Sequence, residues 1–126
     1  MKVKKAIRAK FKVNNLWESP ALQILLTQED DVIVARCLDF TVASHGNDER
    51  EALNAITEAV KEYIISALEN DTINKIYDSA HGRYWRMFNE LEARQVNMQL
   101  KRSLKKSVSA ILKNNSTEST IEISHA

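Results

Sequence analysis

The side chains that could carry out chemistry are three histidines, one cysteine and a scattered set of aspartates. His45, His81 and His125 show neither the H-x-x-x-H spacing nor the C-x-x-C pairing typical of zinc sites. Cys37 lies in an apolar run, where a cysteine is more often a small buried hydrophobic residue than a nucleophile. The sequence has no glycine-rich phosphate loop. We therefore predict a non-enzymatic protein with no catalytic residue, no metal ligand and no cofactor.

Three aspartates, Asp31, Asp39 and Asp48, could in principle form the carboxylate set of a metal-dependent nuclease. Asp31 falls in a predicted turn and Asp48 at a predicted helix start, so local structure already explains both. His45 could act as a general base, but the end of a strand is an ordinary place for an exposed histidine. A nuclease is therefore the weakest of the functional hypotheses.

Residues 31–69 are predicted to form two strands and a helix, around which the rest of the chain is organised. Residues 32–37 are rich in β-branched side chains, which is typical of a mostly buried strand. A short strand over residues 41–45 stops at Gly46, where a turn with positive φ would suit glycine. Asp48 and Glu51 have the spacing of a capping box. The apolar face of the predicted helix consists of Leu53, Ile56, Val60, Ile64 and Ala67.

This stretch resembles the HicB family, the antitoxin half of a bacterial and archaeal toxin–antitoxin pair. The family pattern is a strand ending in a small residue, an acid after Pro or Leu, a short strand, a Gly turn and a helix opening with Glu-Ala-Leu. Asp39-Phe40-Thr41 departs from the Pro-Gly character of the first turn, and Asp48 replaces the usual Thr cap. The resemblance covers about residues 22–69, and the matching residues are Ala35, Cys37, Leu38, Asp39, Ser44, Gly46, Asn47, Asp48, Glu51, Ala52 and Leu53.

The predicted fold class is α+β, with a small antiparallel sheet of three to four strands packed by one main amphipathic helix. The resemblance implies a HicB-like partial ribonuclease H fold without the catalytic carboxylates. Residues 1–70 would form this domain, beginning with a basic strand and loop over residues 1–20. Residues 2–13 are predicted to be a half-buried strand, residues 21–27 the next strand, and Trp17 a hydrophobic lid.

Residues 71–126 are predicted to be a helical extension with a basic C-terminal segment, a candidate dimerisation or DNA-binding element. Helical spacing from Ile73 to Leu91 favours either one helix kinked at Gly82 or two short helices. An aromatic run in this segment could be core or an oligomer interface. The predicted interface residues are Tyr84, Trp85, Met87 and Phe88.

Alternation over residues 96–101 predicts a short strand, followed by a basic helix that starts at Ser103. Many HicB-like proteins append a DNA-binding element, and this pair resembles the first half of a ribbon-helix-helix motif. No second helix is apparent, so a solvated basic helix is the alternative. Residues 114–119 are predicted to be a linker, and residues 120–124 a weak strand or frayed tail. The predicted DNA contacts are Asn97, Gln99, Lys101, Arg102, Lys105 and Lys106.

The charge is unevenly distributed although its formal net value is only +1. Residues 1–12 carry six Lys/Arg and no acid, residues 18–75 carry twelve Asp/Glu against four Lys/Arg, and residues 83–113 carry eight Lys/Arg against two Glu. The balances of −8 and +6 favour either two different interaction surfaces or a dimer in which they neutralise each other. One cysteine and no apolar run of signal or transmembrane length favour a cytoplasmic location.

The resemblance implies an antitoxin that binds and neutralises a small basic ribonuclease toxin of the HicA-like kind. It also implies that the antitoxin regulates its own expression by binding operator DNA. The alternative is a stand-alone, homo-oligomeric HicB-like binding or scaffold module with no toxin. We expect a homo-oligomer in either case, and no membrane partner. The predicted toxin-binding residues are Glu29, Asp30, Asp31, Asp39, Glu58 and Glu62.

Overall fold

A four-stranded antiparallel sheet forms the centre of the first part of the chain, in which residues 2–9, 22–29, 32–37 and 42–46 are neighbouring strands in that order. The computed structural model describes residues 1–113, which divide into a first compact unit, residues 1–93, and a second that begins at residue 94. The strands are β1 (Lys2–Ala9), β2 (Lys12–Val13), β3 (Trp17–Glu18), β4 (Leu22–Glu29), β5 (Val32–Cys37) and β6 (Val42–Gly46). The helices are α1 (Glu49–Glu69), a 3-10 turn (Ile73–Lys75) and α2 (Gly82–Lys113). The predicted α+β class is confirmed.

The N-terminal strand is shorter than predicted. The chain leaves β1 after Ala9, and residues 12–18 form a separate two-stranded ribbon of β2 and β3. Ser19 closes this ribbon, because its hydroxyl accepts a hydrogen bond from the Phe11 N–H at 2.7 Å. Trp17 packs towards the core, with its ring centroid 6.4 Å from that of Phe40.

β4 and β5 form a hairpin with the two-residue loop Asp30-Asp31, and Glu29 lies opposite Val32. Asp30 has φ +55°, a left-handed conformation that aspartate tolerates better than most residues. β4 is buried on both faces, because Leu25 and Leu26 point to opposite sides of the sheet and both have no exposed surface. The sheet therefore needs a cover on each face.

α1 covers the first face, and its start and end agree with the sequence prediction. The Asp48 carboxylate accepts a hydrogen bond from the Glu51 N–H at 2.8 Å, as expected of an N-cap. The helix ends at Asn70, whose side chain donates to the Ser66 carbonyl at 2.8 Å. The buried residues are Ala52, Ile56, Val60, Ile64 and Ala67, while Leu53 is half-buried.

Gly46 is required for a reason different from the predicted one. Its φ is not positive. An added Cβ would lie 2.4 Å from the Ala52 nitrogen and 2.7 Å from the Glu51 carbonyl carbon. Because these are backbone atoms of the first turn of α1, they cannot rotate out of the way. Glycine is needed here because strand β6 ends against the helix start.

The second face of the sheet is covered by the beginning of α2. Phe88 has no exposed surface and packs on Ala6, Leu25 and Leu38. The expectation that one main helix packs the sheet is therefore incomplete. The packing of α2 on this face also explains why the first compact unit extends to residue 93 and does not end at the predicted residue 70. The cluster around Phe88 ties residues 80–91 to the sheet.

The helical structure predicted from Ile73 to Leu91, as one kinked helix or as two short helices, is wrong for residues 76–81, which form neither helix nor strand. These residues run beside the turn after β5 and bond to it. The Asp78 N–H donates to the Asp39 carbonyl at 2.9 Å, and the Ala80 N–H donates to the Leu38 carbonyl at 2.8 Å. Local periodicity could not reveal these bonds, because they join segments 39 to 42 residues apart. The predictions for residues 114–124 lie outside the described residues.

Candidate functional site

The predicted acidic toxin-binding residues fall in three separate places. Glu29, Asp30 and Asp31 lie at the β4–β5 turn. Asp30 and Asp31 are exposed, but the Glu29 carboxylate forms an ion pair with the Arg36 guanidinium at 3.0 Å. This turn lies at the same end of the sheet as the start of α1, because Ile33 pairs with Gly46. Two exposed carboxylates therefore remain here for a partner.

Asp39 has a structural role within the first unit. Its half-buried carboxylate accepts a hydrogen bond from the Gln23 N–H at 2.8 Å, and its carbonyl accepts one from the Asp78 N–H. These bonds hold the turn after β5 against β4 and against the segment that precedes α2. A carboxylate used in this way is a weaker candidate for contact with a second protein.

Glu58 and Glu62 belong to a larger feature on the outer side of α1, which we call the glutamate row. Its members are separated by seven, four and seven residues, which are close to whole numbers of helical turns. The four side chains therefore line up opposite the buried side of the helix. No hydrogen bond or ion pair to these carboxylates occurs within residues 1–113. The glutamate row consists of Glu51, Glu58, Glu62 and Glu69, all exposed.

Two members of the glutamate row were missing from the predicted site. The capping-box spacing accounts for Glu51, and Glu69 is the last residue of α1. The 7-4-7 spacing is itself visible in the sequence and was the signal that could have found both. From Glu51 to Glu69 the row covers 18 residue steps, a length of about 27 Å.

A cleft of about 250 Å³ lies between β5, β6 and the start of α2. Arg36 lines it, with its guanidinium 4.7 Å from the Tyr84 ring centroid, and donates to the Thr27 hydroxyl at 2.9 Å. His81 also lines the cleft, and its Nδ1 accepts a hydrogen bond from the Arg83 N–H at the start of α2. These contacts position the helix start on the sheet.

Cys37 is fully buried in β5. Burial raises the pKa of the Cys37 thiol to about 11, so the thiolate is scarce near neutral pH. The interpretation of this cysteine as a buried hydrophobic residue agrees with that environment. Among residues 1–113 there is no group of three or more His, Cys, Asp or Glu side chains that could hold a metal ion.

The predicted oligomer interface needs correction at Phe88. Phe88 has no surface left for a second chain, because it fills the core between α2 and the sheet. Tyr84, Trp85 and Met87 are half-buried against the same cluster. The Trp85 indole N–H donates to the Ser79 hydroxyl at 2.9 Å. This aromatic run is therefore mainly core of the first unit.

The predicted strand over residues 96–101 is wrong, because these residues are helical and lie within α2. The alternation involves only three apolar residues. The helix propensity of the Gln, Met, Leu, Lys and Arg residues in the same segment outweighs it. The ribbon geometry for DNA contact is lost with the strand. In a helix, Asn97 and Lys101 lie near each other, while Gln99 points away from both. The basic side chains of this segment that share one broad face are Lys101, Arg102, Lys105 and Lys106, all exposed.

The same part of α2 carries an exposed apolar face, which we call the aliphatic stripe. Its residues recur at steps of four, four, four and three. Large aliphatic side chains with this much exposed surface in one row are unusual in a protein that stays alone in water. The aliphatic stripe consists of Val96 (48% exposed), Leu100 (58%), Leu104 (67%), Val108 (54%) and Ile111 (44%).

Comparison with protein-family models, with curated proteins and with solved structures gives no match for this chain. Within residues 1–113, neither helix is both long and apolar enough to cross a bilayer. The candidate functional surfaces are thus the glutamate row, the exposed turn acids and the exposed part of α2.

Proposed function

We propose that this chain is a non-enzymatic, HicB-like antitoxin that binds a small basic ribonuclease toxin and covers its active site. Two things support the proposal. One is the resemblance of residues 22–69 to the family pattern. The other, which carries the proposal, is the glutamate row on the outer side of α1. In this proposal the protein acts in the cytoplasm.

The electrostatics of the glutamate row suit a basic partner. Neighbouring carboxylates in the row are spaced about 6 to 10 Å along the helix axis, which is comparable with the Debye length of about 8 Å in physiological salt. Their fields therefore overlap, and a cationic surface would meet several charges at once. Complementary charge speeds association and selects the partner. Of the other predicted residues, Asp30 and Asp31 add two exposed charges, whereas Glu29 and Asp39 already have internal partners.

The test begins with capture of the tagged full chain from its native source, with mass spectrometry of what co-elutes. A stoichiometric small basic protein that leaves the complex at high salt is the expected result. The partner is then purified and its affinity for two matched variants is measured. Glu58→Gln with Glu62→Gln removes two charges from the row, and Asp30→Asn with Asp31→Asn removes two from the turn.

We expect the helix variant to bind more weakly, mainly through a slower association rate and a smaller salt dependence. The turn variant should bind like the natural protein or lose less affinity. Equal affinity of the helix variant and the natural protein would reject the glutamate row as the contact surface. Absence of any basic partner, or of inhibition of its ribonuclease activity, would reject the antitoxin proposal itself.

Operator binding is the second part of this proposal, and the residues predicted to contact DNA lie within α2. The basic face formed by Lys101, Arg102, Lys105 and Lys106 can contact phosphates without a ribbon. Binding to a DNA fragment should weaken as salt rises. Lys105→Gln with Lys106→Gln should reduce the slope of that dependence by about two, at about one per phosphate contact. An unchanged slope would exclude these lysines as DNA contacts.

A second candidate function is a stand-alone homo-oligomeric binding or scaffold module without a toxin. The aliphatic stripe favours it, because that surface has no use in a monomer. Recovery of the chain alone, as a defined oligomer without nucleic acid, would support this candidate against the antitoxin.

A further inference from the structure

A second cleft, of about 230 Å³, lies between the β2–β3 ribbon and α1. Its floor belongs to the core, because Val13, Ile24 and Ile56 line it and are at most 2% exposed. The half-buried side chains of Phe11 and Leu53 add to this apolar lining. Water in such a cleft finds few hydrogen-bond partners, whereas an apolar group gains contacts on several sides. The lining therefore favours an apolar occupant.

The charged side chains that line this cleft, among residues 1–113, are all lysines, so we call it the lysine cleft. Lys10 and Lys12 come from the chain around β2, and Lys61 comes from α1. α1 is otherwise acidic, with five glutamates against two basic residues, Arg50 and Lys61. The only lysine of an acidic helix thus lines the same cleft as two lysines from a distant segment.

The three lysines have no counter-ion among residues 1–113. By contrast, the Lys5 ammonium lies 3.1 Å from the Glu49 carboxylate. Lys61 forms no ion pair even with its helix neighbours Glu58 and Glu62. Unpaired charges of one sign around an apolar cleft raise the local concentration of the opposite charge. The lysine cleft therefore suits an anion.

Hydrogen bonds fix both walls of the lysine cleft. On the ribbon side, the Phe11 N–H donates to the Ser19 hydroxyl at 2.7 Å, and the Ser19 N–H donates to the Phe11 carbonyl at 2.8 Å. On the helix side, the Thr57 hydroxyl donates to the Leu53 carbonyl at 2.8 Å. The fold itself forms these walls, so binding does not have to order them.

We propose that the lysine cleft binds a small organic acid that consists of one apolar ring, a short linker and a carboxylate. An apolar cavity of about 150 Å³ can hold benzene, so the larger lysine cleft has room for a ring and its linker. The ring would pack on the apolar floor, and the carboxylate would remain among the lysines at the solvent side. This inference goes beyond the antitoxin proposal and is independent of it.

The first test is titration of the full chain with phenylpropionate, followed by amide shifts in NMR spectra. Saturable binding should shift the amides of residues 9–13 and 53–61, which form the two walls. Phenylpropionamide keeps the ring without the charge and should bind about tenfold more weakly, as expected for the loss of a few exposed ion pairs. Acetate keeps the charge without the ring and should give no saturable shifts at the same concentrations.

The second test removes charge from the cleft. Lys12→Gln with Lys61→Gln takes one lysine from each wall, and it should weaken phenylpropionate binding about threefold and reduce its salt dependence. Lys2→Gln with Lys4→Gln is the matched control, because these two lysines belong to β1 and do not line the cleft. The control should bind like the natural protein. Circular dichroism checks that each variant is folded.

Several results would overturn the inference. These are the absence of saturable phenylpropionate binding, equal binding of the acid and its amide, equal binding of acetate, or equal weakening in the two double variants. Amide shifts confined to residues 94–113 would assign the acid to the basic part of α2 and not to the lysine cleft. Neither toxin nor DNA takes part in these measurements, so their failure would leave the antitoxin proposal standing.

Discussion

Replacing Gly46 with alanine should destabilise the first unit far more than any change at the chain's other glycine. The new Cβ would lie 2.4 Å from the Ala52 nitrogen, where real Cβ contacts essentially never fall below 3.0 Å. At least 0.6 Å of backbone movement is therefore needed, and the nearest atoms belong to the first turn of α1. That turn also holds the hydrogen bond from the Glu51 N–H to the Asp48 cap.

The expected magnitude has two parts. Overpacking in a close-packed site costs about 1–3 kcal/mol. Displacing the helix start weakens the Asp48 cap, which contributes about 1 kcal/mol. Together they lower the free energy of unfolding by about 2–4 kcal/mol, equivalent to a fall of roughly 10–20 °C in Tm for a domain of this size.

The assay is urea and thermal unfolding of the full chain, followed by circular dichroism and tryptophan fluorescence. Gly82→Ala is the matched control, because no atom lies within 4 Å of its added Cβ and it stands at the start of α2. It should be neutral or stabilising by up to about 1 kcal/mol. A free energy of unfolding for Gly46→Ala within about 0.5 kcal/mol of the natural protein's value would show that the end of β6 does not press against the start of α1.

Three further predictions concern packing, pH and thiol reactivity. Phe88→Ala should lower the free energy of unfolding by about 3–5 kcal/mol, whereas Met98→Ala should have little effect, as measured by urea unfolding. The Glu92 carboxylate accepts hydrogen bonds from Arg8 at 2.7 and 2.9 Å, which hold the pKa of Glu92 below its usual value. The pair should therefore stabilise the fold above the usual glutamate pKa, and this contribution should disappear as pH falls through the lowered value. Unfolding curves of Glu92→Gln should not show this loss of stability at acid pH. The same pH dependence of stability in the variant and the natural protein would refute a stabilising role for the Arg8–Glu92 pair. Cys37, with its pKa raised by burial, should react with a maleimide at neutral pH only after denaturation, and rapid labelling of the folded chain would contradict its burial.

Much of the first unit could be predicted because its signals are local. The Asp48 cap and the apolar residues of α1 lie within a few residues of one another, so the sequence contains the whole pattern. The same holds for β4 and β5, where a two-residue acidic loop separates two apolar runs. The acidic balance of residues 18–75 is equally visible in the sequence, and it predicts Glu58 and Glu62 as contact residues. The other two members of the glutamate row, Glu51 and Glu69, were not predicted.

The remaining parts depended on contacts between distant segments. Residues 76–81 have helical spacing, but the Leu38 and Asp39 carbonyls hold them out of a helix. At residues 96–101 the opposite error occurred, since a short alternation was outweighed by helix propensity over a long segment.

The sequence by itself determined the β4–β5 hairpin, the two ends of α1 and the segregation of charge, because each follows from neighbouring residues. Only the tertiary structure decided that Phe88 is core and not interface, that Gly46 is needed for close approach, and that residues 96–111 keep an aliphatic face exposed. Whether a side chain is buried depends on the surface that packs against it. A side chain's periodicity indicates that it needs a partner, and the fold decides whether that partner lies in the same chain.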